Sequence, residues 1–180
     1  MADTRARALA TARRLLEAEG PGAVTMRRIA DEMGIRAPSL YKHYPDKRSL
    51  EAALKAEGLR EFGAALSSAL AKAGSPIGAI AGAYRSYALE HPHLYRLTND
   101  DELPRDLLPP GLEESVAAPL IAVFGSRDKT RVAWALAHGL VSLELSRRFP
   151  PDADLARVWQ AAVRALEAMT TKELGAARRG

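Results

Sequence analysis

The stretch that decides the fold is Thr25–Lys47, TMRRIADEMGIRAPSLYKHYPDK. Thr25 suits an N-cap, because its hydroxyl can accept from an orphan N–H of a first helical turn. Val24 and Ile29 stand at the N′ and N4 positions of a hydrophobic staple. Ile29 and Met33 recur at i, i+4 and give this helix one buried face. Gly34 then supplies the left-handed residue that ends the helix and turns the chain. A second helix is predicted over Pro38–Tyr44, since proline is tolerated in a first turn and Pro45 limits the far end. At about 100° per residue, Leu40 and Tyr44 share its inner face, with Ser39, Tyr41, Lys42 and His43 around the rest. Two short helices, a glycine turn and a polar second helix make a helix-turn-helix.

Working outward, a helix is predicted before this stretch from Arg5 to Glu19, started by Asp3 or Thr4 and stopped by Gly20-Pro21. Ala8, Leu9, Ala12, Leu15 and Leu16 form its buried stripe, leaving Arg5, Arg7, Arg13 and Arg14 outside. The resulting three-helix head of about 45 residues is small for independent stability and is expected to lean on helices further along the chain. Asp46 caps the next helix. Leu50, Leu54, Phe62, Leu66 and Leu70 carry that helix to Gly74, a length of about 27 residues or roughly 40 Å. Gly58 and Gly63 inside it point to close helix packing.

Ser75-Pro76 opens a further helix through Ile77, Ile80, Ala81, Tyr84, Tyr87 and Ala88, closed by His91-Pro92. A short helix comes next, over His93–Leu97. Thr98–Gly111, acidic and then proline-rich, reads as a loop. Glu113–Phe124 returns to helix, where Pro119 predicts a kink or a late start. Arg127–Arg148 carries two apolar stripes, Val132-Leu136-Gly139-Leu140-Leu143 and Trp134-His138-Val141-Leu145, so burial on two faces is expected. Leu155, Val158, Trp159, Ala162, Val163, Leu166 and Met169 keep a/d spacing in a last helix over Asp154–Met169. Two adjacent apolar helices suggest a homodimer through a four-helix contact. Thr170–Gly180 has no pattern and is expected to fray.

The 180 residues are 47% hydrophobic and 27% charged, with alanine and leucine dominant and no cysteine. This favours an all-α chain, excludes disulfides and thiolate metal sites, and suits a reducing compartment. No run is apolar enough for a signal peptide or a membrane span, so a soluble, cytoplasmic protein with no membrane partner is expected. The formal charge of +4 lies entirely within residues 1–50, while residues 51–180 balance to zero. One basic region beside a neutral remainder is the footprint expected of a chain that meets a polyanion with one end, and on charge alone a solvated basic face would read the same way.

Thr25, Ile29, Ala30, Met33, Gly34, Ile35, Pro38-Ser39-Leu40-Tyr41-Lys42-His43-Tyr44 and Asp46-Lys47 together resemble the DNA-binding head of the TetR family of bacterial transcriptional regulators. The likeness covers residues 5–54. Trp134-Ala-Leu-Ala-His138-Gly139-Leu140, with Tyr84–Tyr95 upstream, is similar to a C-terminal subtype named for its Trp-His-Gly pattern. Carried over by position, the resemblance implies DNA contacts at Thr25, Arg27, Arg36, Ala37, Pro38, Ser39, Tyr41, Lys42, His43 and Lys47. Thr25 offers a hydroxyl and a helix N-terminus to a phosphate. Tyr41, His43 and Lys47 suit phosphate contacts that set register, whereas Ser39, Lys42 and Arg36 are placed for base edges. Arg36 departs from the family, which usually has a small Ser or Thr there, and it either reads a base or reaches a phosphate. Read singly, Tyr41 would be expected to pack against the first helix and His43 to be a solvated surface residue. Their occurrence in order and at this spacing argues otherwise.

The sequence holds no catalytic signature: no HExxH, GxSxG, phosphate-binding loop or dinucleotide-binding glycine pattern. His91-Pro-His93 near Asp100 and Asp101 could be drawn as a metal cluster, but an HxH at a helix end beside acidic residues is usually polar surface. Not an enzyme, no metal and no cofactor is the expectation. Tyr84, Tyr87, Tyr95, Phe124, Trp134 and His138 are candidates to line a pocket for a moderately apolar small molecule, the effector. The chain is thus expected to be all-α, with a helix-turn-helix DNA-binding domain over 1–48 and a helical-bundle domain for dimerisation and effector binding over 49–180. As the resemblance implies, it would be a homodimeric repressor of a palindromic double-stranded DNA operator, released by a small-molecule effector. Two alternatives stand beside this: a dimeric regulator without a small-molecule effector, and a small helical metal-binding or enzymatic bundle.

Overall fold

The computed structural model describes residues 2–72 and 74–176, with side chains for 4–72 and 74–170. Among the described residues the chain is helical and contains no strand. Its helices are α1 (Ala2–Glu19), α2 (Met26–Glu32), α3 (Ala37–Tyr41), α4 (Lys47–Lys72), α5 (Pro76–Glu90), α6 (Pro92–Asn99), α7 (Leu112–Phe124), α8 (Arg127–Leu145) and α9 (Leu155–Ala176). They divide into two compact units, Met1–Glu61 with His91–Leu112 and Phe62–Glu90 with Glu113–Gly180. Helix α6 and the loop after it fall in the same compact unit as the helix-turn-helix.

In the first unit, Ala8, Ala12, Leu15 and Leu16 of α1 meet Met26, Ile29 and Ala30 of α2, together with Leu40 and Tyr44. Leu50 and Leu54 of α4 and Leu94 and Leu97 of α6 complete this core. The head thus leans on later helices as expected, and α6 supplies a share of the support that the sequence did not indicate. The first helix begins at Ala2 rather than at the predicted Arg5. Arg13, expected outside, is only 15% exposed and pairs with Glu17, Glu57 and Glu61 at 3.7, 3.5 and 3.1 Å. Glu17 in turn accepts from the N–H groups of His93 (3.4 Å) and Leu94 (3.2 Å). These are orphan donors of the first turn of α6, whose own N-cap residue, His91, makes no side-chain cap bond. A carboxylate on α1 therefore caps a helix 76 residues further along the chain.

Helix α6 is longer than the predicted His93–Leu97, because Pro92 opens it and Thr98 and Asn99 stay helical. The acidic segment after it is tied to α4. The buried ammonium of Lys55 donates to the Glu102 carbonyl at 2.8 Å. The Arg48 guanidinium grips Asp106 at 2.9 and 2.7 Å. Gly58 has a packing reason, since a Cβ there would lie 3.0 Å from both Leu94 Cδ2 and Thr98 Oγ1.

In the second unit, the six apolar or aromatic positions named for α5 are all buried: Ile77, Ile80, Ala81, Tyr84, Tyr87 and Ala88. The Phe62 ring meets Tyr84 edge-on at 5.1 Å and Tyr87 at 5.4 Å. Gly63 lies against Val116, 3.0 Å from where its Cβ would be. Ser75 caps α5 by accepting from the Gly78 N–H at 3.3 Å. Helix α7 starts at Leu112 and keeps Pro119 inside, so the late start does not occur.

The burial of α8 differs from expectation. The residues buried on it are Ala133 and Val141, whereas Val132, Trp134 and Leu143 are exposed. At about 100° per residue, Ala133, Ala137, Val141 and Glu144 share one face, which takes only Val141 from the predicted stripes. The helix ends at Leu145, not Arg148. Helix α9 runs past the predicted end at Met169 to Ala176; residues 177–180, the rest of the segment expected to fray, lie outside the described residues. Glu144 joins three helices. It accepts from Arg85 Nε and Nη2 at 3.0 and 2.6 Å, and from the Trp159 indole N–H at 3.1 Å. Burial alone would raise its carboxyl pKa, but those hydrogen bonds and the Arg85 charge hold it below the usual value. No helix among the described residues is long and apolar enough to cross a membrane.

Candidate nucleic-acid interface

The geometry of the Thr25–Lys47 stretch comes from its caps. The Thr25 hydroxyl accepts from the Arg28 N–H at 3.2 Å and starts α2. At the other end Gly34 sits at φ 67, its N–H donating to Asp31 O (3.1 Å), while the Ile35 N–H reaches back to Ala30 O (3.0 Å). That bond pair is a Schellman motif. It sends the chain into α3 through Arg36, the extended N-cap residue, which makes no side-chain cap bond. Helix α3 is shorter than predicted, ending at Tyr41, with Lys42 as its C-cap. Tyr44, past its end, is nevertheless buried. Its hydroxyl donates to the Arg5 carbonyl at 3.4 Å, and the Arg5 guanidinium lies 5.1 Å from its ring centroid. Burial pushes this phenol above its ordinary pKa. Asp46 and Ser49 then form a reciprocal cap on α4: Asp46 Oδ1 accepts the Ser49 N–H at 2.6 Å, and Ser49 Oγ accepts the Asp46 N–H at 3.3 Å.

These caps fix which side chains face out. Leu40 is fully buried, so Pro38, Ser39, Tyr41 and Lys42 stand on the solvent side with Arg36 ahead of them. Tyr41 is 48% exposed, which excludes the packing role a lone tyrosine would be expected to have. Ala37 packs partly against the core, and His43 is half-buried with its N–H on the Leu40 carbonyl at 2.9 Å. Thr25 and Arg27 are exposed at the start of α2, and Lys47 is exposed at the start of α4.

Ion pairing sorts the cations of the head. Arg14 pairs with Glu32, and Arg28 is bidentate on Glu19 at 2.7 Å. Arg13 is held by its three carboxylates and Arg48 by Asp106, and Lys47 pairs with Glu51 at 3.2 Å. Arg27 lies a loose 3.9 Å from Asp31. Arg7, Arg36 and Lys42 have no ion pair with any described residue, and all three are exposed. Two of them flank α3, where an anion would meet them without first displacing a carboxylate. Arg7 adds a candidate that the motif did not include, since it lies on α1; the helical stripe of α1, which leaves Arg7 outside, was the signal available.

The six candidate effector residues are not all brought together. Tyr84, Phe124 and Trp134 line one internal cavity of the second unit, with Phe62, Leu120 and Trp159 among its other walls. That cavity is only about 40 Å³, room for about one water. Tyr87 packs on Phe62, and His138 stands 6.4 Å from the Trp134 ring and 3.5 Å from Ser142 Oγ. Tyr95 is buried in the first unit, carried there by α6. The His93 ring packs at the Gly20 corner, with Cε1 3.4 Å from where a Cβ of that glycine would be.

A helix-turn-helix with an outward α3, joined to a helical second unit, defines a class of regulatory protein. Residues 8–54 match the family model for bacterial regulatory proteins of the tetR family, and residues 77–166 match that for the tetracyclin repressor-like C-terminal domain. The chain belongs to the TetR family. It is 29% identical over 145 residues to Rv0681 of Mycobacterium tuberculosis, an uncharacterized HTH-type transcriptional regulator, covering 73% of this chain and 65% of that protein. The chain thus spans just under two thirds of the length of this curated relative. Among solved structures, a protein of unknown function from Rhodococcus sp. RHA1 is 26% identical with a TM-score of 0.73, over 90% of this chain and 92% of that one. A bacterial regulatory protein of the tetR family from Rhodococcus RHA1 shares the fold at a TM-score of 0.59 and 21% identity, over 94% and 98% of the two chains.

Proposed function

We propose that this chain is a sequence-specific DNA-binding transcription regulator that acts as a cytoplasmic homodimer on a palindromic operator. The observation that carries the reading is the outward face of α3, where Arg36, Ser39, Tyr41 and Lys42 stand exposed and the two cations lack an ion-pair partner among the described residues. Two such faces related by a twofold axis would enter successive major grooves. Roles divide along the chain: residues 1–48 meet DNA, and residues 49–180 assemble the dimer and take the signal. Support for the dimer is exposed apolar surface on α8, at Val132, Trp134 and Leu143. The second module is read as the Trp-His-Gly type on the strength of Trp134, His138 and Gly139.

Within this reading Thr25, Arg27, Tyr41, His43 and Lys47 contact phosphates, while Arg36, Ser39 and Lys42 approach base edges and Ala37 and Pro38 shape the contact. Mobility shifts on cognate and scrambled duplexes test it. Tyr41→Ala and Lys47→Ala weaken binding to all sequences, and Lys42→Ala relaxes the preference for the cognate site; unchanged affinity in all three variants would sink the assignment. Sedimentation at micromolar concentration should find a dimer, and selection from random DNA a palindrome.

Release by a small-molecule effector is the regulatory reading, with the wall of Tyr84, Phe124 and Trp134 as its place. The small size of that cavity favours a second reading, a regulator without such an effector, unless a ligand opens the space or binds elsewhere in the unit.

A further inference from the structure

A second, larger space lies on the surface of the same unit, between α5 and α9. It is an open cleft of about 380 Å³, within the range of small-molecule sites. Gly78 and Gly82 lie on its α5 side; Trp159, Gln160 and Arg164 lie on its α9 side, and Arg85 also lines it.

Gly82 has no evident structural reason to be glycine. Its φ is not positive, and a Cβ there would meet nothing within 4 Å among the described residues. Glycine is the least favourable helix-interior residue after proline, so alanine would serve the helix better. Gly58 and Gly63 differ, since each lies under a neighbouring side chain. What glycine does at position 82 is keep the floor of the cleft bare. Gly78, one turn earlier, faces only the Ser75 side chain at 3.3 Å.

The rim of the cleft is cationic. Arg164 is exposed and makes no ion pair with any described residue. Arg85 spends Nε and Nη2 on Glu144, leaving the Nη1 edge without a hydrogen bond to described residues. Glu144 is engaged by Arg85 and the Trp159 indole and makes no ion pair with Arg164. The indole is therefore fixed, with the Arg85 guanidinium 5.8 Å from its centroid. A rigid flat wall, a bare floor and two guanidiniums match a flat apolar body bearing one carboxylate.

We propose that the α5–α9 cleft binds small aromatic carboxylates. Trp159, Ala81 and Val163 line both the cleft and the internal cavity, so a ligand in the cleft presses on the wall shared with Tyr84 and Phe124. The proposal deepens the effector reading and rests on it only for the consequence at DNA; binding in the cleft stands or falls alone.

The test uses the full chain with benzoate and phenylacetate, and with benzamide and phenylacetamide as uncharged isosteres, followed by saturation-transfer NMR and calorimetry. Both acids bind, and each amide binds at least about tenfold more weakly. Arg164→Gln weakens the acids by about tenfold and leaves the amides unchanged. Gly82→Leu fills the floor and abolishes acid binding while circular dichroism stays native and the melting temperature does not fall. Failure of both acids to bind, equal binding of acid and amide, or acid binding indifferent to both substitutions overturns the proposal. A mobility shift with and without benzoate separates the two ideas: acid binding that leaves DNA affinity unchanged retains the cleft and removes the effector role.

Discussion

In the first unit Arg13 gathers three carboxylates at the edge of the core, while Arg36 and Lys42 face water with no ion pair to a described residue. In the second unit Arg85 pairs with the partly buried Glu144, and the large apolar side chains Val132, Trp134 and Leu143 of α8 are exposed. The first unit gathers carboxylates around Arg13 and presents cations beside α3; the second presents apolar side chains along α8. Surfaces of these two kinds suit different partners, a polyanion for the cationic one and a second protein surface for the apolar one.

Substitutions in both units probe that contrast. The largest effect is expected from Tyr44→Ala, which should lower stability by about 3–5 kcal/mol in chemical denaturation, since a buried aromatic ring is lost from the head. Tyr44→Phe, which removes only the long bond to the Arg5 carbonyl, should cost under about 1 kcal/mol.

Next comes Glu144→Gln, which keeps the shape but removes the charge beneath Arg85 and the Trp159 N–H. A loss of about 1–3 kcal/mol is expected at neutral pH, as for a hydrogen bond to a charged group. The folded-state pKa of Glu144 lies below its ordinary 4.5, so this contribution is complete above 4.5 and is lost as pH falls through the folded value. Wild type and variant should therefore converge in acid. Parallel curves at all pH values would show that the carboxylate does not act through its charge.

Gly58→Ala and Gly82→Ala should have opposite signs. The first forces a Cβ against Leu94 and Thr98 and should destabilise by about 1–3 kcal/mol, whereas the second has open space and should stabilise by up to about 1 kcal/mol. Thermal melts of the pair decide it.

The smallest effect belongs to Glu57→Gln. Burial first, and then Glu61, raise the Glu57 pKa above 4.5 despite Arg13. The ionised group therefore weighs against folding at neutral pH, and that penalty disappears as pH falls through the raised value. The variant should melt slightly above wild type at neutral pH and lose its advantage in acid, the reverse of Glu144→Gln.

What could be read in the sequence was local. Thr25, Gly34, Asp46 and Ser75 act on backbone groups within a few residues, so their spacing alone predicts the turns they make. Leu40 and Tyr44 were legible for the same reason, although α3 stops before Tyr44. Features that depend on distant partners could not be read. Arg13 looks solvent-facing on its own helix, and only the approach of α4 turns it inward. Glu17 caps α6 across a separation that no pattern marks. Tyr95 stands near Tyr84 and Tyr87 in sequence, yet α6 carries it into the other unit. On α8 the large residues Val132 and Trp134 dominate the apolar pattern but are exposed; of the two buried residues, Val141 lies in a predicted stripe, whereas Ala133 has a side chain too small to give a signal. The positions of the exposed cations were plain from the chain itself, but only the ion-pair geometry separated Arg36 and Lys42 from Arg14, Arg28 and Arg48.

The Glu17 cap bears on how such regulators could exchange their reading heads. A head excised after residue 48 and grafted onto another regulator would arrive without Leu50, Leu54, Leu94 and Leu97, and its Glu17 would have no helix end to hold. The smallest transplantable piece consists of two chain segments, so recombination at a single crossover would deliver a head with an open core. A working chimera must import α6 along with the recognition helix, or find in the recipient a helix whose first turn Glu17 can grip.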